Sequence, residues 1–408
     1  MKICIIGGST AGWWTAGYLE KNFPEANITL YGSDKIPPIG VGESTLPQMK
    51  WWWEKLGIKE KDWFENNATL KYGNYKEGWN DPDNEKPFVT RFWYNENNKF
   101  EDMMKDESFF KNGKLNHTKF YEEFDKPDSR ADYAYHVCAE STASMVKKIC
   151  KKTKFINETL EELPEGYDLY VDCTGFHRKF VKDHTKMKID HRHFVDRAWV
   201  CPMKKTNKDA DVTKSIARKY GWSFEINLQN RVGMGYVFSS RHVTELDAKQ
   251  EYLDILKKEN REPLTGFQLR LIKWEPLVLK NPWAENVVAI GTSSGFVDPL
   301  EAFSLFMTQS SITQLVDTLK RGYKKETYNR QMRNIWKNGM NLQIMHYTLS
   351  KRKDTQFWRD STADSEKYKK MLWDNYRKYS SSFRWLVPSG IWCQLGIYFN
   401  EIKYYAEG

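Results

Sequence analysis

Residues 1–19 constrain the fold more than any other stretch of this 408-residue chain. The run Lys2–Ile6 is short, apolar and rich in β-branched residues, which predicts a buried strand, and a helical pattern begins at Trp13. A strand, a glycine turn and a helix in this order place a dinucleotide pyrophosphate on the helix N-terminus, where free N–H groups favour negative charge. The candidate cofactor-binding residues of the turn are Gly7, Gly8, Ser9, Thr10, Ala11 and Gly12, with Ser9 standing where a second glycine is usual. The alternative is a tight turn that binds no ligand.

The second strand is predicted at residues 27–31, and the residues after it depart from the usual dinucleotide pattern. An acidic residue normally follows this strand and binds the adenosine ribose. Here the chain continues with Gly32, Ser33 and Asp34, so Ser33 or Asp34 makes the ribose contact, or the contact is missing. We therefore expect modest affinity for the cofactor.

The net charge of +9 is spread along the chain and is not concentrated in an arginine-rich tract. No nucleic-acid motif accompanies it, so we interpret the charge as a solvated surface that suits an anionic cofactor and expect no nucleic-acid partner.

The six cysteines show no CxxC pair, which argues against zinc and disulfides and favours a reducing compartment. No apolar run has the length of a signal peptide or a membrane span. We expect a cytoplasmic protein with no metal and no membrane association.

Hydrophobic patterning predicts the elements that follow. Residues 134–151 are predicted as a helix that leads into a strand at 169–171. Alternation between residues 194 and 240 predicts antiparallel strands, and residues 286–291 predict another buried strand that ends in a turn. A helix at 305–319 and polar-aromatic helical segments from residue 328 complete the pattern. This pattern is typical of an α/β protein with an added sheet and a helical C-terminal layer.

Several motifs, in matching order along the chain, resemble those of the flavin-dependent tryptophan halogenase family. Early in the chain these are residues 7–16, the run Gly40-Val41-Gly42-Glu43-Ser44-Thr45-Leu46-Pro47, and the run Asn67-Ala68-Thr69-Leu70-Lys71-Tyr72-Gly73 followed by Trp79. Later ones are residues 133–137, 168–176, 221–227, 235–240, 291–301, 346–347 and 354–358. The resemblance covers most of the chain up to about residue 360 and does not extend into the tail.

This resemblance implies a FAD-binding Rossmann-like domain of the flavin monooxygenase type, with an antiparallel substrate sheet and a helical C-terminal layer. Residues 1–340 would form the FAD-binding halogenase module, with the substrate-side sheet inserted at about 186–277, and residues 341–408 the helical substrate-side layer. The further residues that it implies for binding FAD are Ser33, Gly40, Val41, Gly42, Glu43, Ser44, Thr45, Gly291, Pro299 and Leu300.

Two residues occupy the catalytic positions of the family. Lys71 lies between apolar Leu70 and Tyr72, and without the resemblance a lysine there would be assigned to the solvated surface. At the family's position, its ammonium would hydrogen-bond hypohalous acid and raise the electrophilicity of the halogen, or its amine would become a haloamine. Glu301 would help to position the hypohalous acid and take the proton from the halogenated ring; alternatively it merely complements a helix dipole.

The resemblance also suggests a halide site and a shield beside the flavin. Backbone N–H groups of Phe303 and Ser304 would bind halide at a helix N-terminus. Because Ala302 and Phe303 replace the family's Ser and Thr, we expect a less polar pocket that favours bromide or iodide, with chloride still possible. The residues that would crowd the flavin and suppress hydroxylation are Trp222, Phe224 and Ile226, in a segment where Phe224 and Asn227 replace the family's Trp and Pro.

The implied partners are a separate flavin reductase, which supplies reduced FAD because the chain carries no second nucleotide motif, and a small electron-rich arene of the indole or phenol type. Homo-oligomers are possible. A flavin-dependent aromatic hydroxylase shares the fold without needing Lys71 and Glu301 together. A flavin-binding protein without catalysis is the third possibility.

Overall fold

The computed structural model describes residues 1–33, 42–80, 88–92, 108, 110–111, 114–115, 133–207 and 209–370. Several residues named above lie outside these ranges: Asp34, the predicted FAD-binding residues Gly40 and Val41, and the tail from residue 371 onward.

The helices of the described chain are α1 (Thr10–Asn22), α2 (Met49–Leu56), α3 (Glu60–Glu65), α4 (Ala139–Ile149), α5 (Glu245–Lys258), α6 (Phe303–Lys320), α7 (Lys325–Thr348) and α8 (Gln356–Ser361). Short 3₁₀ turns cover Gly175–His177, Gly291–Ser293 and Leu300–Ala302.

The strands are β1 (Lys2–Ile6), β2 (Asn27–Gly32), β3 (Glu43–Ser44), β4 (Thr69–Lys71), β5 (Gly73–Glu77), β6 (Phe88–Arg91), β7 (Phe110–Lys111), β8 (Lys114–Leu115), β9 (Ala134–Val137), β10 (Lys154–Asn157), β11 (Leu169–Asp172), β12 (Arg197–Met203), β13 (Thr213–Arg218), β14 (Gly221–Asn227), β15 (Val232–Phe238), β16 (Arg270–Lys273), β17 (Leu277–Val278), β18 (Trp283–Ala284), β19 (Val287–Ala289) and β20 (Gly295–Phe296).

The first sheet is the parallel Rossmann-like sheet that the N-terminal motif predicts. Its order is β10-β2-β1-β11-β19-β18, and every pair is parallel except the β18–β19 edge. The side chains of Ile3, Cys4 and Ile5 are fully buried, which explains why this central strand is continuously apolar. The α/β class, the strand at β1 and the parallel strand at β2 are confirmed.

The second sheet carries the predicted antiparallel strands and two more from earlier in the chain. Its order is β16-β12-β15-β14-β13-β5-β6, antiparallel except where β5 pairs with β13. The strands β5 and β6 lie outside the 186–277 range expected for this sheet. Their inclusion is what brings residues 73–77 beside residues 213–218.

The prediction of a continuous helix at residues 134–151 is wrong at its beginning. The structure has a buried strand, β9, followed by α4 from Ala139. The strand forms because β9 pairs with β3 on one side and β4 on the other, and the Thr45 hydroxyl bonds the carbonyl and amide of Tyr135. Tertiary pairing therefore overrides the local helical pattern.

The helices α6 and α7 pack through an unusually close contact between a ring and a backbone. A Cβ at Gly339 would lie 1.6 Å from the Phe303 ring, and this ring also meets Trp336 edge-on at 5.5 Å. The boundary predicted between residues 340 and 341 falls within α7, so a division there would cut a continuous helix. The division of the chain into modules stays a prediction.

Replacing Gly339 with alanine is expected to destabilise the fold by about 3 kcal/mol, since the added methyl group must displace the Phe303 ring. The variant Phe303→Ala with Gly339→Ala should recover part of this loss. Urea unfolding of both variants and of Phe303→Ala alone gives the coupling energy. A Gly339→Ala variant as stable as the parent would contradict the observed packing.

Candidate active site

The turn at residues 7–12 has a backbone conformation that requires glycine at two positions. Gly7 has a φ of +118°, and a Cβ there would lie 2.3 Å from the Cys173 carbonyl oxygen. A Cβ at Gly12 would lie 1.8 Å from the Gly7 carbonyl oxygen. Ser9 precedes α1, is exposed and makes no side-chain capping hydrogen bond, so its hydroxyl does not compete for the first amides of the helix. This geometry suits a bound pyrophosphate.

The end of β2 packs so closely on this turn that no larger side chain fits. A Cβ at Gly32 would lie 2.7 Å from the Gly8 Cα and 2.8 Å from the Gly8 nitrogen. An acidic residue at position 32 would therefore have to displace the turn. The half-buried Ser33 follows directly.

A segment far along the chain packs against this turn, and other predicted FAD-binding residues lie in two further segments. Gly291 has a φ of +72°, and a Cβ there would lie 2.8 Å from the Ala11 Cβ. Pro299 precedes the 3₁₀ turn Leu300–Ala302, in which Leu300 is fully buried. The backbone at Gly42 lies against Ile226, 3.3 Å from the position that a Cβ would take. Gly291 thus brings its turn within reach of α1, as a segment that closes over a bound dinucleotide requires.

Residues 43–45 lead from Gly42 into a buried group of polar side chains. Burial raises the pKa of Glu43 to about 7. The Ser44 hydroxyl lies 2.8 Å from the Thr213 hydroxyl, which in turn lies 2.9 Å from His136 Nε2. Burial, with a smaller contribution from Lys71, lowers the pKa of His136 to about 3, so this ring is neutral at pH 7.

Lys71, at the end of β4, is fully buried. Its ammonium donates to the Ser44 hydroxyl at 2.8 Å and the Thr45 carbonyl at 3.1 Å. Burial lowers the pKa of Lys71 to about 7, while the Glu301 carboxylate acts in the opposite direction. Within the described residues these two hydrogen bonds are joined by a contact with the Phe92 ring, whose centroid lies 5.1 Å from the Lys71 nitrogen.

Glu301 lies in a constrained turn immediately before α6. Both Glu301 and Ala302 have positive φ, 65° and 56°, in the left-handed region that costs a non-glycine residue roughly 1–2 kcal/mol. The Gln343 amide, from α7, donates to the Asp298 and Leu300 carbonyls at 2.7 and 3.2 Å. These two hydrogen bonds from α7 fix the backbone of the turn that carries Glu301.

Among the residues that the structure describes, three side chains bind the Glu301 carboxylate. Asn74 donates to one oxygen at 3.0 Å, His346 Nε2 lies 3.1 Å from the other, and the Lys76 ammonium forms an ion pair with that same oxygen. Burial alone would raise the pKa of Glu301, but Lys76 and His346 outweigh burial and hold the pKa far below its usual range. The carboxylate is therefore ionised and fixed in orientation.

Sequence analysis missed Lys76 and Asn74 altogether, and it noted His346 only within a matching segment. Lys76 is 1% exposed. Strand periodicity puts Asn74 and Lys76 on one face of β5, and this signal was available in the sequence. The periodicity alone would have predicted a solvent-exposed face, because a lysine is normally exposed. No local pattern reveals that a distant glutamate covers this face.

The predicted shielding residues share a face of the sheet with Lys76. Lys76 pairs with Ser215, and Ser215 pairs with Phe224, so these side chains project from the same side. Trp222 and Ile226 lie two positions on either side of Phe224 along β14, so their side chains share that face. Trp222 is buried, and the half-buried Phe224 packs on Gly235. The sheet thus brings the predicted shield and the partners of Glu301 together.

The predicted halide residues open α6. Ser304 is half-buried, and the Phe303 ring is buried against α7. What distinguishes this helix start is therefore the lack of hydroxyl groups on Ala302 and Phe303 rather than a ring placed beside the amides.

In the part of the chain that is described, no helix has both the length and the apolar character needed to cross a membrane. The same residues contain no group of three His, Cys, Asp or Glu arranged to hold a metal ion.

A Rossmann-like parallel sheet with a glycine turn after its first strand defines a dinucleotide-binding protein. The family model for tryptophan halogenase matches residues 2–163 and 161–385, so the chain belongs to the tryptophan halogenase family and is a FAD-dependent halogenase.

Named relatives agree with this assignment, and solved structures share the fold. The chain is 26% identical to tryptophan 6-halogenase SttH of Streptomyces toxytricini, over 88% of this chain and 80% of the relative. It is 27% identical to tryptophan 7-halogenase RebH of Lentzea aerocolonigenes, over 88% and 78%. In fold it is similar to the flavin-dependent halogenase Xcc4156 of Xanthomonas campestris, with a TM-score of 0.82, 24% identity, and 98% and 89% of the two chains covered. A tryptophan halogenase of Shewanella frigidimarina gives a TM-score of 0.83 at 21% identity, with 100% and 90% covered.

Proposed function

We propose that the enzyme uses hypohalous acid, delivered through Lys71, to halogenate an electron-rich arene of the indole or phenol type. The observation that carries this proposal is the fully buried Lys71 ammonium, which makes two hydrogen bonds within the described residues and interacts electrostatically with Glu301. An exposed lysine would be solvated and would lose hypohalous acid to water.

In this reaction Lys71 would donate a proton and Glu301 would accept one. The Lys71 ammonium hydrogen-bonds the oxygen of hypohalous acid and polarises the oxygen–halogen bond. The ring attacks the halogen, and the oxygen leaves as water after taking a proton from Lys71. The Glu301 carboxylate accepts the proton lost by the ring, and passage of that proton to Lys71 restores the starting state. Trp222, Phe224 and Ile226 would keep the flavin side crowded against competing hydroxylation.

FAD would be held by the cradle of Gly7, Gly8, Ser9, Thr10, Ala11 and Gly12 together with Ser33, Glu43, Ser44, Thr45, Gly291, Pro299 and Leu300. Gly40 and Val41 complete this set from outside the described residues. When bound and reduced, FAD supplies, with O₂, the oxidising power that converts halide to hypohalous acid. A separate flavin reductase would provide the reduced form, and the cysteine pattern of this chain supports a cytoplasmic location for the halogenase.

We expect FAD to bind with a dissociation constant in the micromolar range or weaker. The close approach of Gly32 to Gly8 excludes the acidic side chain that usually binds the ribose. Equilibrium titration of the apoprotein, followed by flavin fluorescence, measures this constant. A nanomolar value would show that another residue replaces the missing contact.

We also expect bromide or iodide to be used in preference to chloride. The amides of Phe303 and Ser304 would bind the halide, and without hydroxyl groups on residues 302 and 303 the site compensates poorly for the dehydration of chloride. Equimolar competition between the halides, with products quantified by mass spectrometry, tests this. Incorporation of chloride before bromide would contradict it.

The decisive experiment combines the protein with FAD, a flavin reductase, each halide and a panel of arenes. Halide-dependent product mass identifies a halogenase, whereas a gain of one oxygen without halide identifies an aromatic hydroxylase. Lys71→Ala should abolish the halogenated product and leave the oxidation of reduced FAD intact. Retained halogenation would overturn the role of Lys71.

A further inference from the structure

The second buried lysine of the site has no role in the reaction as described above. Lys76 and Lys71 are on successive strands, both fully or almost fully buried, and only one carboxylate, Glu301, is seen to interact with them in the described chain. The ion pair joins Glu301 to Lys76, while the hydrogen bonds of Lys71 go to Ser44 and Thr45. The carboxylate is therefore committed to the lysine that the proposed chemistry does not use.

The charged and titratable groups that face Glu301 come from three elements. β5 supplies Lys76, β4 supplies Lys71 through space, and α7 supplies His346. Burial and the Lys76 charge lower the pKa of His346, whereas the hydrogen bond with Glu301 acts in the opposite direction. Asp298, in the same turn as Glu301, is bonded by the Tyr347 hydroxyl instead.

We propose that Lys76 is a positioning residue for halogenation: its ion pair holds the Glu301 carboxylate in place and aimed as the ring-proton acceptor, and keeps that carboxylate from pairing with Lys71. This inference rests on the proposed function. The reason is electrostatic, because a single buried carboxylate compensates one ammonium well and two poorly. With Lys76 paired, the charge on Lys71 is the one left under-compensated.

The pH profile of halogenation separates positioning from a purely structural role. In the wild type, we expect single-turnover product formation to be level from about pH 5 to 6 and to fall to about half near pH 7 as Lys71 loses its proton. In Lys76→Met, Glu301 and Lys71 become each other's nearest opposite charge. The alkaline limb should then move up by about one pH unit or more, and an acid limb from Glu301 should appear between about pH 5 and 7.

The matched control is Lys214→Met. Lys214 lies on the neighbouring strand β13, one register position away from Lys76, and pairs with Glu225 at 2.9 Å. The Lys214→Met substitution therefore removes a different lysine–carboxylate pair, on the opposite face of the same sheet. Lys76→Arg should keep the wild-type limbs, because it keeps the cation. An unchanged profile in Lys76→Met, or an equal shift in Lys214→Met, would overturn the proposal.

A second measurement does not depend on turnover. The side-chain carboxyl ¹³C signal of Glu301, identified by its absence in Glu301→Gln, should not titrate between pH 5 and 8 in the wild type and should titrate there in Lys76→Met. If Lys76→Met does not fold, Lys76→Gln takes its place. Titration of Glu301 in the wild type overturns the proposal. A wild type that makes no halogenated product from any arene refutes the proposed function, and the carboxyl signal still decides the role of Lys76.

Discussion

Lys71→Met is expected to abolish halogenation and, at the same time, to raise the free energy of unfolding at pH 7 by roughly 2–4 kcal/mol. Activity is lost because methionine cannot donate a hydrogen bond to hypohalous acid. Stability rises because the wild-type chain must bury an amine whose pKa falls to about 7 from its usual value of 10.5. Methionine fills a similar volume without that cost.

The pH dependence fixes the origin of this gain. Since the pKa of Lys71 is lower in the folded chain, the unfolded chain binds more protons between pH 7 and 10.5, and the wild type becomes more stable as pH rises through this window. The difference between variant and wild type should therefore shrink toward pH 10.5. Urea unfolding at pH 7, 8.5 and 10 measures it. A Lys71→Met variant less stable than the wild type at pH 7 would contradict the buried, under-compensated ammonium.

Glu301→Gln is expected to have the opposite effect on stability. The amide cannot accept the ring proton, which should slow product formation by about 10²–10⁴-fold. It also leaves Lys76 buried without its counter-charge, which should cost about 3–5 kcal/mol of unfolding free energy. Single-turnover assays and urea unfolding measure the two effects separately.

The double variant Glu301→Gln with Lys76→Met identifies the source of that instability. If the unpaired Lys76 causes the loss, removing it should recover about 1–3 kcal/mol relative to Glu301→Gln. In the wild type, the contribution of Glu301 is complete above pH 4.5, because its folded pKa is depressed, and is lost as pH falls below that value. Additive effects of the two substitutions would mean that the ion pair contributes nothing to folding.

The two lysines show how one carboxylate organises the site. Glu301 stabilises the fold through its ion pair with Lys76. Burial of the Lys71 amine lowers its pKa and destabilises the fold. Stability is thus given up at the residue whose proton the proposed reaction needs, as is common where a site must keep a group reactive.

Local chemistry along the chain specifies several parts of this protein, and these parts could be predicted from the residues alone. The apolar run Lys2–Ile6 and the turn after it predicted β1, α1 and the parallel sheet, because burial on both faces and close backbone approach each demand particular residue types. Alternation predicted β12, β14 and β15. The order of the motifs identified the family and named Lys71 and Glu301 as candidates.

Tertiary structure decided what depends on residues far apart in the chain. Residues 134–137 form a strand because β3 and β4 flank them. Lys76 is buried because β5 joins β13 and because Glu301, 225 positions later, covers it. Local pattern encodes the preference of a residue for a helix, a strand or water, whereas the charge that a buried group keeps depends on which distant side chains the fold places around it.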